Sequence, residues 1–371
     1  MKKIGIFTFQ CAYNVGAQLQ AFALQRTIQR MGCDVEIVRY EPNYLTAPYK
    51  AFTLVYFKPF SLRKLAGAIY NILLSLYLLP LWLIKTIKYK SFQRRYLKLS
   101  NRIYRNKEEL ANLDYDIIVT GSDQVWNPEI TKGLDPVFFL DLDQYDGNRK
   151  FSYAASFSAR QISIKQKEKI LDYIKDFKGI SVREKELADF LQSGSAHTIQ
   201  TVLDPTLLLS KSDWEQAASP VNESNKYVLI YLARGSNGYI RNLAKQYMTK
   251  HHIKRIIDVS GSNYRFIKDG KQAISPLDFV GYVKQAECVF TISFHGTALS
   301  IILEKPFYAI LLNDGRDGRV ENLLEICGLR DRIITFPSHC LPNTVIDYYS
   351  VKANISPYVK YSKDYIFKCI K

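Results

Sequence analysis

The sequence predicts an α/β protein built as two Rossmann-like domains facing a cleft. Apolar strands alternate with amphipathic helices along most of the chain, the pattern of parallel, doubly wound sheets. Its 371 residues, 47% of them hydrophobic, suffice for two cores. A polar stretch at 205–226, broken by Pro205 and Pro220, divides the alternation in two, with the boundary there or slightly earlier. The domains are drawn as residues 1–175, with a basic and apolar insertion at about 54–95, and 176–340. Residues 341–371 form a tail helix that packs back on the first domain.

The first half opens with a strand at Lys3–Phe9 and a helix from Ala17 to Met31. Ala17, Ala21, Leu24, Ile28 and Met31 make a helical stripe, and Gly32 ends it. A strand at Asp34–Tyr40 follows, then, beyond the insertion, strands at Tyr115–Thr120 and Phe151–Phe157. A helix at Ile164–Asp176 and a strand at Gly179–Val182 come next. The second half has strands at Tyr227–Ala233, Ile256–Val259, Glu287–Phe294 and Phe307–Leu312. Its helices are Tyr239–His252, Leu277–Gln285, the segment after His295, and Arg319–Cys327.

Six cysteines lie scattered without a CxxC pair, which fits a reducing compartment and gives no metal-ligand spacing. The opening MKKIGIFTF reads as a strand and not as a signal peptide, so a cytoplasmic protein is expected. The net charge of +16 is concentrated at residues 58–107, where no acid occurs before Glu108. No RNP, zinc-finger or helix-turn-helix pattern accompanies these cations, which argues against nucleic acid as the partner.

Within the basic region, Leu65–Ile84 runs twenty residues without a charge. That length permits a membrane span. A span would, however, put strands of one sheet on opposite sides of a bilayer, and Pro80 interrupts the run. A helical hairpin or interfacial helix on an anionic membrane surface fits better, with Trp82 at headgroup level. A helix pair buried against the protein or against a dimer partner is the other reading.

Four strand-end loops have the composition of a site. In Ser293-Phe294-His295-Gly296, an apolar strand gives way directly to an apolar helix, and helix-start amides attract anions. His295 stands there as the candidate for proton transfer, with Gly296 admitting close approach. In Tyr13-Asn14-Val15-Gly16-Ala17-Gln18, Asn14 and Gln18 offer donors and acceptors and Gly16 offers room, although Asn-x-Gly is also a plain turn. In Thr120–Asn127, Ser122 and Asp123 read as a sugar-binding rim with the Trp126 indole as a ring platform; a helix cap and an apolar lid are the bland alternatives. Arg183 ends a strand, placed for a carboxylate or phosphate or for a structural pair with Glu184 or Asp204. Further cations near the second crevice are Arg234, Lys305, Arg316 and Arg319.

Taken in order, AYNVGAQLQA, DIIVTGSDQVWN, ISVRE, LDPTLLL and SFHGTALSIILEKPF resemble the polysaccharide pyruvyl transferase family over nearly the whole chain. The resemblance implies a fold similar to GT-B glycosyltransferases, phosphoenolpyruvate as co-substrate with no other cofactor, and a glycan or lipid-linked sugar as acceptor. The product would be a ketal on a capsule or exopolysaccharide precursor, made at the inner face of the cell membrane. Arg183 matches the family's donor-binding arginine and His295 the histidine of its Arg-x-His element. Ser293 stands where that element carries arginine, which removes one phosphate or carboxylate contact. With the loop residues read above, the expected donor set is Arg183, Ser293, Gly296 and Arg319, and the expected acceptor set is Asn14, Gly16, Gln18, Ser122, Asp123 and Trp126. A nucleotide-sugar glycosyltransferase and a non-catalytic glycan or lipid-carrier binding protein are the alternatives.

Overall fold

The computed structural model describes residues 1–50, 62–157, 162–232, 237–260, 270–313, 317–338, 340–342 and 344–371, without the side chains of 62–71 and 237. Arg234, Arg316, His339 and residues 54–61 of the expected insertion lie outside the described residues.

The first domain contains β1 (Lys3–Phe7), α1 (Val15–Gln29), β2 (Asp34–Tyr40), α2 (Asn43–Thr46) and α3 (Leu62–Tyr96). It continues through β3 (Leu99–Tyr104), β4 (Ile117–Asp123), α4 (Pro128–Thr131), β5 (Lys150–Ala155) and α5 (Ile164–Ile174). β6 (Ile180–Val182), α6 (Lys185–Gln192) and β7 (Ile199–Thr201) complete its sheet. The second domain follows with α7 (Lys211–Ala217), β8 (Tyr227–Tyr231), α8 (Asn237–His251), β9 (Arg255–Asp258) and α9 (Pro276–Gln285). Then come β10 (Cys288–Thr291), α10 (Phe294–Ile302), β11 (Phe307–Leu311), α11 (Gly318–Cys327), β12 (Ile333–Thr335) and α12 (Tyr348–Ile370).

Among the described residues the first sheet is seven-stranded in the order β3-β2-β1-β4-β5-β6-β7, and the second is five-stranded, β12-β11-β10-β8-β9. Every pair is parallel. Local chemistry sets the helix starts: the Asn14 side chain accepts the Ala17 N–H at 3.2 Å, and Ser163 and Ser275 form capping boxes with Gln166 and Asp278. Gly32, at φ +85°, takes the left-handed turn after α1.

The α/β class and two-domain plan are as the sequence predicts. The first sheet, however, takes in β6 and β7 and so reaches Thr201, well beyond the boundary drawn at 175/176. β6 is the strand expected at Gly179–Val182, placed on the wrong side of the boundary, whereas the three-residue β7 carries too little periodicity to be read from sequence. The described part of the insertion, from Leu62 on, is one continuous helix and not a hairpin. Pro80 sits inside it, removing a single backbone donor without ending it. β2 and β3, which flank this helix in sequence, pair with each other.

The domains share an apolar core. Leu19 and Leu24 of α1 belong to the same buried cluster as Leu207, Trp214 and Leu299. Phe22 meets Trp214 with ring centroids 5.7 Å apart. The last helix, α12, lies on the first domain: Tyr365 donates to the Ser152 carbonyl at 2.8 Å, and Ser362 accepts the Leu203 N–H at 3.0 Å.

Candidate active site

In open parallel sheets, ligands bind beyond the strand C-termini where the strand order reverses. Here the reversal points are β1/β4 in the first sheet and β8/β10 in the second. Both open on one cavity of ≈ 440 Å³. Phe9, Ala12 and Asn14 line it after β1, Asp123 and Gln124 at the end of β4, Tyr231 at the end of β8, and Ser293 after β10.

His295 lies in the first turn of α10, 8% exposed, at the wall of this cavity. Its ring is held between the domains. On one side is Gly16 of α1, where a Cβ would lie 2.1 Å from Nδ1. On the other, Nε2 stands 3.6 Å from Asp204 Oδ2, an ion-pair distance longer than a hydrogen bond. This buried Nε2 has no hydrogen-bond partner among the described residues.

Asp204 is the hub. Its side chain is fully buried. Oδ2 accepts from Arg183 Nη1 at 2.7 Å, and Oδ1 accepts the Thr206 N–H and hydroxyl at 3.0 and 2.7 Å. Burial alone pushes its carboxyl pKa up, but His295, Arg183 and Thr206 hold it well below the usual carboxylate range. Arg183 is likewise buried; desolvation opposes its charge, while Glu184 and Asp204 stabilise it. Its Nη2 donates to Ser156 at 2.9 Å, its Nε to Glu184 at 3.3 Å, and its guanidinium stacks 5.1 Å from the Phe294 ring.

Arg183 and Asp204 open on a second cavity of ≈ 510 Å³, with Lys185, Asn322 and Arg319 on its walls. Glu325 of that cavity is turned to Arg330 at 3.0 Å. Phe294 and Arg319 line both cavities, so His295 and Asp204 stand at their junction.

The structure sorts the residues singled out from sequence. His295, Asn14, Asp123, Ser293 and Arg319 line the first cavity. Arg183 makes both of the structural ion pairs that the sequence offered, and keeps donor N–H groups beyond those it uses. Ser293 caps α10 by accepting the Gly296 N–H, which leaves that amide engaged. Gly296 is small because of packing: a Cβ there would lie 2.4 Å from Thr291 Oγ1. Lys305 is partly buried, away from both cavities.

Four acceptor assignments need correction. Trp126 is 0% exposed, stacks on Phe139 and donates its N–H to the Phe138 carbonyl at 2.9 Å, so it is core and no sugar platform. Gln18 is equally buried and donates to the Gln10 and Ala12 carbonyls at 2.6 and 2.8 Å, shaping the loop after β1. Ser122 is buried beside Ala154 and Asp204. Gly16 serves the His295 ring.

Two features were missed as site residues. Asp204, just ahead of Pro205, has the look of a turn residue and does cap the 3₁₀ turn at Pro205–Leu208, yet it also orders the site. Tyr44 and Tyr49, from the segment after β2, line the first cavity with no local signal beyond their aromaticity.

The profile of the polysaccharide pyruvyl transferase family matches residues 14–314. The chain belongs to that family. As a family member it is a transferase, and the matched span encloses Gly16, Arg183, Asp204 and His295. No curated protein sequence matches it significantly. Among solved structures it is similar to the UDP-GlcNAc 2-epimerase of Methanocaldococcus jannaschii, at 12% identity and TM-score 0.47, over 95% of this chain and 92% of that one. The Neisseria meningitidis UDP-GlcNAc 2-epimerase bound to UDP-GlcNAc gives 12% identity and TM-score 0.44, over 100% and 94%. The spinosyn forosaminyltransferase gives 10% and 0.38, over 100% and 93%. No activity follows from such distant likenesses.

Proposed function

We propose that this pyruvyl transferase family member moves the enolpyruvyl group of phosphoenolpyruvate onto two hydroxyls of a sugar in a capsule or exopolysaccharide precursor, forming a ketal. The observation that carries the reading is the Arg183–Asp204–His295 cluster at the junction of two cavities. The donor occupies the cavity of Arg183, Lys185 and Arg319, whose cations suit a carboxylate and a phosphate. The acceptor occupies the other, between Asn14 and Asp123.

A protonated His295 gives its proton to the enol methylene, which becomes a methyl group, and positive charge develops at the adjacent carbon. One sugar hydroxyl adds there and its proton returns to the imidazole. Phosphate then departs as the second hydroxyl attacks, carrying away the second hydroxyl proton. Asp204, 3.6 Å away and held as a carboxylate, stabilises the imidazolium. Arg183 and Arg319 meet the charge on the leaving phosphate.

The reaction is placed at the inner face of the membrane, with α3 lying on it. Leu73, Leu76, Tyr77, Leu83, Ile84 and Ile87 are exposed and fall at helical spacing on one stripe. By length and composition Ile72–Tyr96 is able to cross a bilayer, but β2 and β3 at its two ends pair in one sheet, which supports an in-plane orientation.

The test is inorganic phosphate release from phosphoenolpyruvate with a lipid-linked or free glycan acceptor, and a pyruvyl ketal in the product by mass spectrometry. Thermal protection by UDP-GlcNAc but not by phosphoenolpyruvate would move the reading to a nucleotide-sugar transferase.

A further inference from the structure

A third cavity, of ≈ 530 Å³, lies between the loop after β1 and α3. Its charged lining is Arg39, Glu41, Lys50, Lys90 and Arg94. Glu41 is engaged by Arg39 at 3.2 Å. Lys90 and Arg94 are exposed and have no carboxylate partner among the described residues. Trp82 lies beside them, tied to the Tyr49 carbonyl by its indole N–H at 2.9 Å. The buried Thr86 hydroxyl on this wall has no hydrogen-bond partner. Cations, an idle hydroxyl donor and an aromatic edge together make a receptor for a phosphorylated group.

The cavity adjoins the active site. Alternate residues of one loop line the two spaces: Ala12 and Asn14 face the His295 cavity, Cys11 and Tyr13 the basic one. Tyr49 lines both. The cavity also adjoins the apolar stripe of α3. From Leu73 to Ile87 that stripe is about 21 Å long at 1.5 Å per residue. Ile87 and Arg94 are seven residues apart, so the stripe runs into the cations on the same side of the helix.

We infer that this cavity binds the diphosphate of a lipid-linked sugar acceptor. The lipid lies along the α3 stripe, the diphosphate sits at Lys90 and Arg94, and the sugar passes Tyr49 to reach His295. The inference rests on the proposed transfer to a membrane-borne glycan, but its test does not require turnover. Of the three tryptophans, Trp126 and Trp214 are fully buried, so tryptophan fluorescence changes on binding report Trp82.

The full-length protein, without phosphoenolpyruvate, is titrated with farnesyl diphosphate, farnesol and UDP, by fluorescence and by calorimetry. Farnesyl diphosphate is expected to bind, more weakly as salt rises, and more tightly than farnesol or UDP. Lys90→Ala/Arg94→Ala is expected to lose at least about tenfold in affinity, with an unchanged thermal midpoint. His295→Ala keeps the binding, which separates this cavity from the transfer reaction. Equal affinity for UDP overturns the lipid assignment. No response to any diphosphate at millimolar concentration, or wild-type affinity in the double variant, overturns the site.

Discussion

Gly16 leaves free the space that the His295 imidazole fills: a Cβ on Gly16 would lie 2.1 Å from Nδ1. The two residues come from opposite domains, Gly16 from α1 and His295 from α10. The glycine is thus needed for proximity and not for an unusual backbone angle. The packing of the domains fixes the ring against Asp204.

Gly16→Ala should displace the ring and lower kcat by on the order of 10², as a shift of about 1 Å in a reacting group does. Stability should fall by about 1–3 kcal/mol, the usual cost of overpacking, with the variant still folded at room temperature. Steady-state kinetics with a thermal melt checks both halves. Wild-type kcat in the alanine variant would show that Gly16 does not position the His295 ring.

Asp204→Asn takes the nearer of two carboxylates from the buried Arg183 and leaves it only Glu184; breaking such a buried pair costs up to about 3–5 kcal/mol. The folded-state pKa of Asp204 is depressed, so its contribution is complete above the ordinary aspartate value of about 3.9 and is lost as pH falls below it. Urea unfolding should therefore show the wild type and the variant far apart at pH 7, with the gap only beginning to narrow below about pH 4. Equal stability at pH 7 would contradict the role of the pair.

Much of this site was legible in sequence, and the exceptions share a cause. His295 announced itself because the strand-to-helix turn is local: a run of apolar residues, a cap and a second apolar run. Trp126 was misread because its cover, the 3₁₀ turn at Pro136–Phe139, arrives from ten residues downstream with no local sign of the contact. Gln18 looked like a donor to ligand because the sequence does not show the loop after β1 folding its Gln10 and Ala12 carbonyls back onto the Gln18 amide. Asp204 was visible only as a partner for Arg183, since its distance to His295 depends on how the domains meet. In α3, Pro80 was given the strength of a helix breaker, yet one lost hydrogen bond is small beside the packing of Tyr89 and Phe92 further along the same helix.

Trp126→Ala should behave as a core deletion, costing about 3–5 kcal/mol of stability. Acceptor KM of the folded fraction should stay near that of the wild type. A rise in acceptor KM with stability preserved would restore Trp126 to the sugar site.

The exposed stripe of α3 should bind the protein to membranes without insertion. Each basic side chain near an anionic surface adds about 1 kcal/mol of attraction. Flotation with anionic vesicles is expected at low salt, weaker at high salt, and lost when Leu76, Leu83 and Ile87 become serine. If the same substitutions instead abolish a dimer seen by sedimentation, with no flotation at any salt, the stripe is a subunit interface.

In the proposed reaction His295, paired with Asp204 at the junction of two cavities, moves the proton in a transfer from phosphoenolpyruvate. Acceptor-dependent phosphate release by wild type and His295→Ala, both shown to be folded by their melting curves, tests it most directly. The variant should lose about 10²–10⁴ in kcat. Phosphate release at the wild-type rate from folded His295→Ala would contradict it.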